Sequence, residues 1–399
     1  MSATPAAHSA AEPSLFAKLW YDKENRSIVV QILAALALLW FFGSMVLNAI
    51  HNLDALGKGF SFNFLKQPAS YDINQSLIEY SSRSTHLRAM WVGIINTLLV
   101  AVAGVILATV LGFILGVLRL SKNWLVDKLA YIYIEYVRNV PVLLHILLLH
   151  GVVVHSLPRP RDAINIGDGA FLTNRGVFMP SPEFLPMFKF VLAALLIGIV
   201  IAFLFKRFAR KLQEQKGTQL PVFWVSLIAI VGLPLITYIV KGQPVAWDIP
   251  ELKGFNYRGG MVIRPEFLAL WLALSFYTAA FIAEIVRAGI LAVSHGQSEA
   301  SMALGLPRNR TLKLVVIPQA LRVIVPPLSS QYLNLTKNSS LAIAIGYMDV
   351  TATIGGISLN QTGREMECML IVMAIYLLFS LVISAGMNIY NSRIALVER

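Results

Sequence analysis

The sequence predicts an all-α, polytopic membrane protein with about eight transmembrane helices, and three observations support this fold class. Of its 399 residues, 57% are hydrophobic and only 14% are charged. The mean hydropathy of +0.67 exceeds that of soluble globular domains. Several apolar runs also reach the roughly 20 residues that a helix needs to cross about 30 Å of hydrocarbon. A bilayer therefore surrounds most of the chain.

The apolar runs give the predicted order of elements. A polar N-terminal segment (1–27) precedes a first run that is longer than the apolar part of a signal peptide, so we expect a retained helix and then an external loop at 51–88. The transmembrane domain proper occupies 89–392. The predicted spans are 28–50, 89–118, 129–155, 189–205, 221–240, 266–292, 323–346 and 369–391.

The net charge of +12 comes from Lys and Arg residues scattered between apolar runs, which predicts contact with membrane lipid and no nucleic-acid partner. If the N-terminus is cytoplasmic, a basic cluster falls on the same side: Lys206, Arg207, Arg210 and Lys211. The opposite side still carries three arginines in one loop: Arg159, Arg161 and Arg175. An even number of spans then places both termini in the cytoplasm of a bacterial inner membrane.

The spans at about 189–240 are predicted to be a helical hairpin inserted into an external loop. Arg175-Gly176 and Pro182-Glu183-Phe184, ahead of the hairpin, recur with the same spacing as Arg258-Gly259 and Pro265-Glu266-Phe267 behind it. We expect similar turns at both ends. Chance similarity between loops rich in Gly and Pro is the competing interpretation.

Small residues in two places predict close packing. Gly104, Ala108, Gly112 and Gly116 form a small-xxx-small ladder on the second span, which lets another helix approach closely. The single cysteine, Cys368, cannot form an intrachain disulfide, and we expect it to be a small buried residue.

The loop at 293–322 carries the most informative pattern. Small residues at 300, 301 and 303 favour a short helix, which Gly305 and Pro307 then break. We therefore expect a helix, a bend, and a second short helix that lies under the membrane.

This loop resembles the EAA loop of ABC-importer permeases. Glu299, Ala300, Gly305 and Pro318 stand at that motif's spacing, while Ser301, Val315 and Ile317 replace residues of similar size or polarity. The resemblance implies a type I ABC-importer permease fold and a coupling helix that docks in a separate ATPase. The implied coupling residues are Gly296, Glu299, Ala300, Ser301, Gly305 and Pro307.

Further stretches are similar to polar amino-acid permeases of the histidine/glutamine type: 135–141, 277–290, 318–322 and 337–341. The extra first helix and the inserted hairpin resemble the longer permeases of general L-amino-acid importers. The resemblance implies substrates such as glutamate, glutamine, aspartate and asparagine. It also implies three partners: a pair of ABC ATPases that hold ATP and Mg, a second permease subunit, and a periplasmic amino-acid-binding protein.

A polar stripe marks the candidate translocation path. We expect span seven to begin after Pro326-Pro327, which puts Lys337 about 16 Å along it, near mid-membrane. A cation there needs a partner, water or a polar ligand. It either attracts a substrate carboxylate or pairs with Glu284 or Glu135, and the sequence leaves both open. The other members of the stripe are Gln331, Asn334 and Asn338.

Two acid–base pairs stand three residues apart on predicted helices, Glu284 with Arg287 and Glu135 with Arg138. We interpret Arg287, Glu135 and Arg138 as packing or gate residues, and Glu284 also as a path candidate. His145, His150 and His155 point about 140° apart on a helix, so we expect no bound metal.

Two other functional classes remain for comparison. An ion- or proton-coupled secondary transporter also suits intramembrane Glu and Lys residues. A membrane enzyme is disfavoured because the sequence contains no HExxH, GxSxG or GxxxxGK[ST] motif, and Gly57-Lys58-Gly59 has the wrong spacing for the last. ATP hydrolysis is therefore expected on another chain, and no cofactor on this one.

Overall fold

The computed structural model describes residues 23–55, 57 and 59–394. Residues 1–22 of the predicted N-terminal segment and Lys58 lie outside this part. The α-helices are α1 (Lys23–Ala55), α2 (His86–Leu118), α3 (Trp124–Asn139), α4 (Val142–Ser156), α5 (Phe188–Lys216), α6 (Val222–Leu227), α7 (Leu233–Val240), α8 (Pro265–Leu291), α9 (His295–Ala303), α10 (Arg308–Thr311), α11 (Ile317–Asn338), α12 (Leu359–Thr362) and α13 (Glu365–Ile394). Three π-helical segments (Ile228–Gly232, Leu312–Val316 and Thr351–Ser358) and three 3-10 turns (Asn63–Lys66, Pro160–Asp162 and Ser339–Ile345) complete the helical structure.

The described chain contains seven helices long and apolar enough to cross a membrane, or eight if the bent pair α3–α4 is one span. This confirms a polytopic helical protein with about eight spans. The third predicted span is not one helix, however, because α3 and α4 meet at 108°. Pro141 accounts for the break, since it lacks an N–H group and pushes Val140 into extended backbone (φ −107°, ψ 132°).

The core forms where α2 packs along α8 and α11. A Cβ added to Gly104 would lie 3.1 Å from Leu335, one added to Gly112 would lie 2.5 Å from Ile282, and one added to Gly116 would lie 2.7 Å from Val286. Ala108 and Cys368 are fully buried. The small-residue ladder and the buried cysteine are thus confirmed, and the ladder sets the spacing of the central helices.

The predicted start of span seven is wrong. α11 begins at Ile317, Pro326 and Pro327 lie inside it, and Lys337 occupies its last turn. Prolines are tolerated inside membrane helices where neighbouring groups satisfy the freed backbone. α11 also continues back through the π turn to α10, so the second short helix predicted for the loop is the beginning of this long helix.

The two predicted helices at 189–240 are present and pack on each other. Gly198 of α5 approaches Ala229 of the returning helix so closely that a Cβ at Gly198 would lie 2.0 Å from the Ala229 carbonyl oxygen. The returning helix contains a π segment at this crossing and is divided there into α6 and α7.

Eight short strands, absent from the sequence prediction, tie the two loops beside this hairpin together. They are β1 (Ile164–Gly167), β2 (Ala170–Thr173), β3 (Gly176–Met179), β4 (Ser181–Phe184), β5 (Val245–Asp248), β6 (Glu251–Lys253), β7 (Asn256–Arg258) and β8 (Met261–Ile263). One antiparallel sheet has the order β1-β2-β3-β8, and β4-β5 and β6-β7 form two-stranded sheets. The stem of the hairpin is therefore closed by backbone hydrogen bonds.

The predicted repeat at the ends of the hairpin is wrong. Pro182-Glu183-Phe184 lies in strand β4, whereas Pro265-Glu266-Phe267 begins helix α8. The two segments therefore share residues and spacing but not backbone conformation. Pro182 pairs with Trp247 in the two-stranded sheet, and Pro265 stands at the first helical position, where proline is favoured.

Candidate functional site

The candidate coupling loop (293–322) folds as a helix followed by a sharp bend. α9 ends at Ala303, and Gly305 then adopts left-handed backbone (φ +81°). The Leu306 N–H donates to the Ser301 carbonyl at 3.1 Å, and Pro307 caps α10 in extended backbone. Glycine is favoured at such a helix end because it has no Cβ to clash. The predicted helix and bend are confirmed.

The predicted coupling residues differ in accessibility. Gly296, Ala300, Gly305 and Pro307 are exposed, and the Glu299 side chain is 70% exposed with its Oε1 3.4 Å from His295 Nδ1. Ser301 is instead buried, and its hydroxyl donates to the Gln297 carbonyl at 2.7 Å. Ser301 therefore stabilises the helix internally and does not present its side chain to a partner.

Two exposed apolar side chains at the bend were missed by sequence reasoning. Leu304 is 83% exposed and Met302 is 51% exposed, next to the bend at Gly305. Isolated exposed apolar residues are ordinary, so it is their place in the candidate coupling loop, and not their exposure alone, that makes them candidates for contact with a partner. The signal was present in the sequence as two apolar residues at the end of an otherwise small and polar helix.

A side-chain bond connects α9 to the long helix behind it. Gln319 Nε2 donates to Gln297 Oε1 at 3.1 Å. α9 also packs against the π turn Leu312–Val316 that leads into α11. α9 is therefore joined, by one side-chain bond and by packing, to α11, the helix that carries the polar stripe.

The polar stripe lies at the far end of α11. Asn334 and Lys337 are exposed, and Gln331 and Asn338 are half-buried. No ion pair of Lys337 with Glu284, Glu135 or any other described residue exists, so the proposed pairing is not formed within this chain. The stripe faces away from the core of this subunit.

Glu284 belongs to a different part of the molecule. Its Oε2 lies 3.1 Å from Arg287 NH2 and its Oε1 lies 3.9 Å from Arg119 Nε. Along α2, Val286 packs at Gly116 and Leu335 packs at Gly104, twelve residues or about 18 Å apart. Glu284 is thus separated from Lys337 along the bundle axis, which disfavours it as a member of the same path.

The predicted i,i+3 pairs both form, and they extend into a network that the sequence did not indicate. Arg119 also pairs with Asp127, which joins the end of α2 to α3. Arg138 lies 4.0 Å from Glu135 and its guanidinium stands 5.5 Å from the Phe281 ring centre. These contacts support packing roles for Arg287, Glu135 and Arg138.

A buried acid was missed because it lies outside every recognised motif. Asp349, between α11 and α13, is fully buried. Its Oδ2 accepts from the Tyr376 hydroxyl at 2.9 Å and its Oδ1 from the Ala352 N–H at 2.8 Å. Burial raises the pKa of the Asp349 carboxyl to about 7.

Asp349 is expected to make stability depend on pH between about 4 and 7. The pKa of the Asp349 carboxyl is about 7 in the folded chain and about 3.9 in the unfolded chain. The stability that Asp349 contributes is therefore fully present below about pH 3.9 and is lost as the pH rises through about 7. Asp349→Asn should therefore flatten the fall of the thermal unfolding midpoint over this range in detergent. The exposed Asp72→Asn is the control, and an unchanged slope in Asp349→Asn would contradict the assignment.

These features define a polytopic membrane protein with an exposed helical loop linked to a long central helix. Residues 218–396 match the family described as binding-protein-dependent transport system inner membrane component. The chain is 48% identical over 384 residues to the general L-amino acid transport system permease protein of Rhizobium johnstonii, covering 96% of each. It is 47% identical over 412 residues to the glutamate/glutamine/aspartate/asparagine transport system permease protein of Rhodobacter capsulatus, again covering 96% of each.

One solved structure is also similar, a crystal structure of an amino acid ABC transporter with histidines, at 20% identity and a TM-score of 0.45 over 77% of this chain and 95% of that one. The chain belongs to the family of amino-acid ABC transporter permeases. It is a transmembrane transport subunit of an ATP-driven, binding-protein-dependent importer. Family membership favours this function over an ion- or proton-coupled transporter.

Proposed function

We propose that this chain carries amino acids across the membrane and that ATP hydrolysis by a separate ATPase, which binds α9, drives the transport. The observation that carries the proposal is the exposed pair Met302 and Leu304 at the bend, together with the Gln297–Gln319 bond that links α9 to α11. Closure of the ATPase then moves α9, and α11 follows. ATP and Mg are held by the ATPase, and this chain hydrolyses no nucleotide.

A second permease subunit completes the path. Each candidate coupling loop engages one ATPase of a pair, so a related permease chain supplies the other loop. The exposed Asn334 and Lys337 support this arrangement, because a cation that has no carboxylate partner among the described residues needs a polar neighbour or water. The stripe then lies between the two subunits and not in lipid.

The proposed substrates are polar L-amino acids, delivered by an external binding protein. The two full-length relatives described above are named for general L-amino acids and for glutamate, glutamine, aspartate and asparagine. Uptake of labelled glutamate by cells that depend on this importer, in competition with a panel of amino acids, tests the proposal. Competition by these four amino acids supports it, and competition by none of them contradicts it.

Both termini are proposed to be cytoplasmic, with α3–α4 counted as one bent span. The basic cluster at the end of α5 and the candidate coupling loop then fall on the same, cytoplasmic side. Inside-out and right-side-out vesicles test the drive: uptake that requires ATP on the coupling-loop side and resists uncouplers supports the importer. Uptake abolished by uncouplers but independent of ATP supports the secondary transporter.

Lys337→Met is expected to lower uptake by about 10- to 100-fold while the complex still assembles. A charge-assisted bond to a substrate carboxylate contributes roughly 1.5–3 kcal/mol, and methionine keeps the length of the side chain without the charge. Initial uptake rates and co-purification of the partner subunits measure the two effects. Lys122→Met, at another exposed lysine, is the control. Loss of assembly in Lys337→Met would indicate a structural role instead.

A further inference from the structure

The inserted hairpin (α5, α6 and α7) is packed almost entirely on itself. The close approach of Gly198 to Ala229 and the buried Ala194 and Ala202 form its seam. Within the described chain, none of its three helices packs extensively on α2, α8, α11 or α13. Its remaining surface is apolar and exposed, and includes Leu192, Leu196, Ile197, Val200, Leu235 and Ile236. Such a surface matches lipid acyl chains.

Basic residues mark the two membrane interfaces of this hairpin. The Lys189 and Lys241 ammonium groups lie 5.4 and 4.7 Å from the Phe190 ring centre, so the beginning of α5 and the end of α7 are level. Lys206 follows Phe190 by sixteen residues, or about 24 Å along the helix, which is close to the hydrocarbon thickness of about 30 Å. Lys206 therefore stands at the opposite headgroup region.

The end of the hairpin at Lys206 carries an excess of positive charge. Glu214 is its one acidic residue between 200 and 222, and it pairs with Arg210 at 3.0 Å on the exposed surface. An exposed pair of this kind contributes little and yields readily to another anion. Arg207 stands 4.9 Å from the Phe203 ring centre and has no carboxylate partner within the described residues.

A groove at this end has the size and lining of a headgroup site. Its volume is about 480 Å³, and it lies between the basic turn of α5 and the start of α6. Exposed Phe223 and Trp224 stand beside it, as aromatic residues do at a membrane interface. The residues that line the groove are Lys206, Ala209, Arg210, Gln213, Gln219, Leu220 and Val222.

We propose that this groove binds the phosphate headgroup of an anionic phospholipid, whose acyl chains lie along the apolar face of the hairpin. Lys206 and Arg210 supply positive charge, and Gln213 and Gln219 supply amide donors for the phosphate oxygens. Basic pockets between membrane helices are suited to such headgroups. A lipid is favoured over a free anion because exposed apolar residues of α5, Phe203, Leu204 and Phe208, stand next to the groove and offer a surface for acyl chains. The same apolar surface favours a lipid over an acidic protein.

Lipid retention by the complete purified importer tests the proposal. Native mass spectrometry after incubation with phosphatidylglycerol or phosphatidylcholine should show preferential retention of phosphatidylglycerol. The double variant Lys206→Gln/Arg210→Gln should weaken this retention by about 25-fold, about five-fold for each cation lost. Lys189→Gln/Lys241→Gln removes the same charge from the other end of the same hairpin and should change it little. Lys206→Arg/Arg210→Lys keeps the charge and should retain the lipid.

Three outcomes would overturn the proposal. Equal retention of phosphatidylcholine would show that the site does not distinguish an anionic from a neutral headgroup. Equal losses of retention in the two charge-removing variants would show that the groove is not the binding site. Full competition by excess inorganic phosphate would indicate a free-anion site. Because the readout is bound lipid and not uptake, its failure leaves the proposed transport function untouched.

Discussion

Leu304→Asp is expected to detach the ATPase and to lower ATP-dependent uptake by about 100-fold or more. Leu304 is 83% exposed at the bend after α9, where the proposed function places the ATPase groove. A buried interface anchor contributes about 2–4 kcal/mol, and an unpaired carboxylate left in its place adds a desolvation penalty. Co-purification of the ATPase and uptake into vesicles both measure the effect.

Two controls separate this result from a folding defect. Leu304→Met keeps an apolar side chain of similar volume and should retain most of the uptake. Leu77→Asp makes the same substitution at another exposed leucine, between α1 and α2, and should leave ATPase binding unchanged. If Leu304→Asp binds the ATPase as well as the unsubstituted chain does, α9 is not the docking helix.

The coupling loop shows what a local pattern can predict. The small residues and Gly305 fix the helix and its bend, since both depend on backbone conformation within a few residues. Which side of α9 is accessible depends on contacts with α11 and the π turn, including the Gln297–Gln319 bond across 22 positions. The resemblance therefore counts Ser301 among the coupling residues although its side chain is buried, and it does not single out the exposed Leu304.

Proline shows more clearly what a local pattern cannot predict, because it breaks the helix in one span and lies inside a continuous helix in another. Pro141 separates α3 from α4, whereas Pro326 and Pro327 lie within α11. On the two sides of the latter pair, Ile324 packs against Gly289 and Leu335 packs against Gly104. These contacts hold α11 against α8 and α2 and compensate for the lost backbone bonds. Such compensation comes from the tertiary structure and leaves no local signal.

The strands were not predicted for a related reason. Each is only three or four residues long, too short for a period-two pattern to be recognised. β8 joins the first sheet because Ile263 pairs with Val177 of β3, 86 positions away across the inserted hairpin. A pattern search along the chain predicts long apolar helices well, but it does not predict pairings that form only after the hairpin has brought its two ends together.

Gly112→Leu is expected to prevent assembly of the central bundle, with folded protein falling to less than about a tenth of the normal yield. Even a Cβ at this position would lie 2.5 Å from the Ile282 Cβ and 3.1 Å from the Ala279 carbonyl oxygen. Carbon atoms prefer about 3.5–4.0 Å, so α2 and α8 would have to separate along the seam that contains most of the core. Overpacking of a dense core costs about 1–3 kcal/mol or more, and the three leucine carbons beyond Cβ have no adjacent space. Size-exclusion profiles and membrane yield measure the result.

The clash with Ile282 makes the prediction specific. Gly112→Ala should be harmful to a smaller degree, and Ile282→Gly in the same chain should reduce its effect because it removes the atoms nearest the new Cβ. The two substitutions together should then be less harmful than the sum of their separate effects, as expected for residues in direct contact. Gly43→Leu, on the unpacked helix α1 where no atom lies within 4 Å of the added Cβ, should leave the yield unchanged. Strict additivity of Gly112→Ala and Ile282→Gly would mean that the small-residue ladder does not set the spacing between α2 and α8.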